Sequence, residues 1–141
     1  MGKSVIDRWS QNLVGKRFEW GKRDCHTTTI EYIKLQNIKT ETERPYLYTA
    51  LDRKYSNSRE GHEQAKTFDF DRGLRELGYT ERPVNRVEPG DIVKIEVDKK
   101  SYNHYMPVLF GETLLWADVK SRRIKLAHIT QVNSDYKVYR R

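Results

Sequence analysis

The 141-residue sequence predicts an α+β domain in which helices come first and an antiparallel meander follows. Two observations carry that expectation. Apolar residues recur at helical spacing as far as Leu77, and beyond Gly90 they follow in short β-branched and aromatic runs separated by turn residues. A third concerns chemistry: the single cysteine, Cys25, stands directly behind Asp24, a residue suited to cap a helix. At this length one core and one domain are expected.

In chain order, Val5, Ile6, Trp9, Leu13 and Val14 give a helix within 3–14 that Gly15 ends. Phe18, Trp20 and Gly21 read as an extended piece running into a turn. Asp24 then caps a helix from about Cys25 to Gln36, with Cys25, Thr28, Thr29, Tyr32, Ile33 and Gln36 on its buried face and Ile30 to one side. Residues 39–66 carry charge and tyrosine without a sustained period, so they read as an insertion with short helical pieces. Phe68, Phe70, Leu74 and Leu77 fit one more helix, closed by Gly78. After the Glu88–Asp91 turn come strands at Ile92–Val97, Tyr102–Phe110, Thr113–Val119, Arg123–Ala127 and Tyr136–Tyr139, with a polar connection at 98–101. Pro107 lacks an N–H, which points to an edge or bulge there.

Composition narrows the function classes. One cysteine excludes an internal disulfide framework and a cysteine-rich zinc site. The four histidines, His26, His62, His104 and His128, have no ligand spacing, so neither a metal nor another cofactor is expected. No apolar run approaches the ~20 residues of a spanning helix, and the first residues lack a signal-peptide pattern, so synthesis and folding in the cytoplasm are expected. The formal charge of +7 makes polyanions plausible neighbours. The cluster Lys120, Arg122, Arg123 and Lys125 reads first as a solvated basic strand edge, and nucleic-acid binding ranks last because no recognition motif accompanies it.

A thiol attacks carbonyls as the thiolate, and a helix amino terminus favours that anion. Cys25 occupies such a position, although a lone cysteine serves more often as a small buried hydrophobe. Its base is expected to be His104, which a strand can aim rigidly. His26 should diverge from Cys25 by ~100° on the helix, His62 should lie solvated in the insertion, and His128 follows a strand at a loop.

These residues suggest a family. Phe18-Glu-Trp20-Gly21 followed by Asp24-Cys25, then Gly90-Asp91-Ile92-Val93, then His104 before Val108-Leu109-Phe110, Gly111 and Leu114-Leu115, resembles the NlpC-type papain-like cysteine peptidases. The resemblance covers about 5–36 and 68–119, and compact versions of this domain occur in bacteriophage tail and virion proteins. It implies a papain-like fold in which Cys25 attacks a peptide or amide carbonyl of peptidoglycan, His104 takes its proton, and the Cys25 amide joins an oxyanion hole. Trp20 and Asp24 would line the pocket. The third polar group would fall near Trp116, whose indole only donates, and Asp118, two residues on, substitutes for it. Three departures from the family pattern motivate a second expectation: His26 after the cysteine, Phe18 in place of a tyrosine, and Tyr105-Met106-Pro107 after the histidine. That expectation is a catalytically idle scaffold serving in assembly of a phage tail or virion, with Tyr46, Tyr48 and Tyr55 as partner anchors.

Overall fold

The computed structural model describes residues 4–36, 38, 40, 44–96, 103–132 and 135–141. Among these residues the chain is α+β, with a six-stranded, wholly antiparallel sheet. Helix α1 spans Val5–Leu13 and α2 spans Cys25–Leu35. The inserted stretch holds a 3-10 segment at Tyr46–Asp52 and helix α3 at Ser58–Thr67, and α4 follows at Phe70–Glu76. The strands are β1 Thr80–Glu81, β2 Ile92–Ile95, β3 His104–Phe110, β4 Thr113–Asp118, β5 Arg123–His128 and β6 Tyr136–Arg140. A second 3-10 segment, Ile129–Gln131, separates the last two. Val97, Tyr102 and the connection between them lie outside the described residues, as do parts of the insertion before Arg44.

Strands β2 to β5 form the expected meander, but the sheet order is β1-β6-β2-β3-β4-β5. The last strand crosses back to pair with β2, through Val93↔Val138 and its neighbours, and carries the short β1 on its outer side. Two residues of β1 give no periodic signal, which is why sequence reading passes over it. Asp91 fixes this return. Its buried carboxylate accepts Glu88 N at 2.8 Å and is held in a fork by Arg140, with Nε at 2.8 Å and Nη2 at 2.7 Å.

Helix α2 lies against the middle of the sheet and is buried nearly all round, Thr27 and Ile30 included, rather than along one stripe. Its threonines therefore face protein, and they find work there. Thr29 Oγ1 donates to Tyr105 O at 3.0 Å, and Tyr32 Oη to Val108 O at 3.1 Å. The Thr29 contact takes up a carbonyl beyond the β3–β4 register, which runs no further than Val108↔Leu114, beside Pro107 with no N–H to offer, whereas Val108 O also accepts from Gly90 N at 3.0 Å. Strand β3 thus bonds to a helix where it stops bonding to β4.

On the helical side, Ile30, Ile33, Leu47, Leu74 and Ile92 form a fully buried cluster, each worth about 1.5–3 kcal/mol of burial. The insertion supplies Leu47, and Gly73 lets it in: a Cβ at Gly73 would sit 2.9 Å from Leu47 Cβ. Val93, Met106, Val108 and Leu114 form the core on the opposite face, covered by Val87 and Ile129.

Candidate active site

Asp24 builds the start of α2. Its carboxylate accepts Thr27 N at 2.8 Å, while Thr27 Oγ1 accepts Asp24 N at 2.9 Å, a reciprocal capping box. The other carboxylate oxygen takes Gly21 N at 2.9 Å and the Tyr55 hydroxyl at 2.5 Å. One buried side chain therefore ties together the turn after Trp20, the first turn of α2 and the insertion. Gly21 must be glycine for this: its φ is +81°, and a Cβ would lie 2.3 Å from Tyr55 O.

Cys25 follows as the first residue of the helix and is 1% exposed. It packs with Leu13, Phe18, Leu115, Ala117 and Ile124. The backbone N–H groups of Tyr105, Cys25 and His26 point at its sulfur and favour the anion. Burial opposes them, aided by the adjacent Asp24 carboxylate, and drives the thiol far above its ordinary value. The group is a neutral thiol at physiological pH.

The sulfur's contact with Tyr105 N–H brings α2 to the residue next to His104. His104 is held neutral, its pKa pushed down to about 4 chiefly by burial and secondarily by the nearby His26. Asp118 opposes this shift through its charge, and His62 adds to it. The charge of Asp118 thus reaches His104, while Cys25 adjoins that strand through the neighbouring Tyr105. The carboxylate of Asp118 is itself engaged by Lys120 N at 3.1 Å, Ser121 N at 3.4 Å and Lys125 Nζ at 3.0 Å, closing the β4–β5 hairpin.

Trp20 stands edge-on to Phe18, ring centroids 4.9 Å apart, and to His62 at 5.9 Å. It lines a groove with Arg17, Lys22, Arg53 and Tyr55. Trp116 lies elsewhere. It packs on the core of the opposite sheet face beneath Lys125, whose Nζ is 5.1 Å from the ring centroid. Alternation along β4 explains the separation, because Leu115 and Ala117 face the cysteine and Leu114 and Trp116 face away.

One expectation needs correction. His62 is half-buried against Trp20 rather than solvated, because Gly61 lets α3 approach that ring. The three tyrosines of the insertion are half-buried and make contacts within the chain: Tyr46 stacks on Phe68 at 4.7 Å, Tyr48 lies beneath Lys34, and Tyr55 holds Asp24. Tyr55 is the member that sequence reading missed, since nothing in its local pattern shows a partner 31 residues away. His26 does diverge from Cys25, its ring packing on Phe70 and Tyr105 and its Nε2 lying 3.0 Å from Asn103 O. No protein-family model matches the chain, and neither a curated protein nor a solved structure shows significant similarity to it.

Proposed function

We propose that the chain is a catalytically idle papain-like domain of NlpC type, serving in assembly of a phage tail or virion. Support for the fold comes from the cysteine at the start of a helix on an antiparallel sheet, and from the order of the Cys, Gly-Asp and His elements. The observation that carries idleness is the seal over the sulfur, which is 1% exposed within hydrocarbon and neutral beside a carboxylate. A cysteine nucleophile needs access and thiolate character, and this one has neither.

Hydrolysis of peptidoglycan peptides is the second reading, and one observation favours it. Backbone N–H groups of Tyr105, Cys25 and His26 favour the thiolate form of the sulfur, and the charge of Asp118 favours the imidazolium form of His104. Iodoacetamide kinetics near neutral pH, with digestion of purified peptidoglycan, separate the two. The idle reading expects alkylation only in denaturant and no released peptides from either wild type or Cys25→Ala. Rapid native alkylation that His104→Ala slows, with cleavage lost in Cys25→Ala, would establish the hydrolase. The assembly role expects the protein in purified virions by immunogold labelling, and its absence from them removes that role.

A further inference from the structure

The chain brings two basic segments from opposite ends of the sequence into register. Ile124 N donates to Lys16 O at 2.9 Å and Phe18 N to Arg122 O at 2.9 Å, so residues 15–18 lie along the outer edge of β5. Arg17 and Arg123 are direct partners in an isolated antiparallel bridge. Like charges facing across a bridge repel. Around them Lys16, Lys120 and Arg122 are likewise exposed. The local acids are already committed, Glu19 to Lys22 and Arg23, and Asp118 to Lys125. Among the described residues no ion pair joins any of the five cations to an acid.

Arg122 adds a backbone cost. Its φ is +58°, the only positive value at a non-glycine residue among those described. Glycine or asparagine would occupy that turn more cheaply. The fold thus bears both repulsion and strain to keep five uncompensated charges on one end.

We propose that this end binds the phosphate backbone of nucleic acid without reading sequence. Three of the five cations are guanidinium groups, whose planar fork matches phosphate oxygens. Rim pairs with an acidic protein would contribute little each, whereas a densely charged polyphosphate releases counterions at every contact. The chain carries no base-reading motif, so binding is sequence-independent. The assignment stands apart from the fate of Cys25. It also departs from the sequence reading, which had only the hairpin cluster and could not see Lys16 and Arg17 laid beside it.

The test uses the full chain and a fluorescent duplex DNA of about 20 base pairs, titrated across a salt series. Log affinity should fall against log salt with a slope of roughly −4.5, for about five phosphate contacts. Arg122→Gly should reduce the slope by about 1 while raising the Tm. The triple variant Lys120→Glu, Arg122→Glu, Arg123→Glu should lose binding at least tenfold. A control of equal charge change, Arg59→Glu, Lys66→Glu, Arg75→Glu, should keep most of it. Equal loss in both triple variants would reduce the effect to net charge and overturn the assignment. So would salt-insensitive binding, or equal affinity for polyglutamate or phosphatidylglycerol vesicles.

Discussion

At the scale of single residues, burial sets the chemistry more than neighbouring charge does. His104 shows this, since its folded pKa of about 4 lies below the ordinary histidine value of 6.5. The folded protein therefore binds fewer protons than the unfolded chain between those values. Stability is full above about pH 6.5 and is lost as pH falls toward 4, by about 2 kcal/mol after allowing for partial exposure. Thermal melts at pH 7, 5.5 and 4.5 should show that loss, and His104→Gln should flatten it. An unchanged pH slope in that variant would place the proton uptake elsewhere. The sequence made Cys25 and His104 visible because their residue types are rare and their order follows a known pattern. It could not show the hydrocarbon around the sulfur, because Leu13, Phe18, Leu115 and Ile124 come from three separate stretches of chain.

At the scale of elements, the start of α2 rests on Asp24. Replacing it with alanine removes the cap to Thr27 and leaves Gly21 N and the Tyr55 hydroxyl without their acceptor. The cap accounts for about 1 kcal/mol and each stranded donor for about 1 more, so Asp24→Ala should cost roughly 3 kcal/mol. Asp24→Asn keeps an oxygen for the cap and should cost less than half as much by urea denaturation. The cap was legible because Asp before a helical run is a local signal. The docking of the insertion was not. Its apolar residues lack a period, and they are held by single fits such as Leu47 over Gly73. Helical content within 39–66 was foreseen; its place in the central core was not.

For the whole molecule, a buried polar knot joins the helical layer to the sheet. Lys94 of β2, 5% exposed, donates to Asp71 of α4 at 2.6 Å, and the Tyr105 hydroxyl donates to the same carboxylate at 2.6 Å. These contacts hold the Asp71 carboxyl below its usual range despite burial. Asp71→Ala leaves the buried Lys94 ammonium only the longer pair to Glu96 at 3.9 Å and should destabilise by about 2–4 kcal/mol. Asp71→Leu with Lys94→Met should recover most of that in the same denaturation experiment, because the cost lies in the poorly paired charge. Short β-branched and aromatic runs foretold the strands, yet nothing local to Lys94 shows that it is buried. Only the crossing of α4 over the sheet turns it inward.

The place where β3 leaves β4 has a kinetic consequence. Tyr105 N–H turns to the Cys25 sulfur, and the Tyr105 carbonyl accepts from Thr29 of the same helix. Deuterium uptake at that one amide is thus governed by how often α2 lifts away, not by how often the strands part. Its neighbours in β2 report on the sheet instead, so the two clocks should run at different rates in one sample.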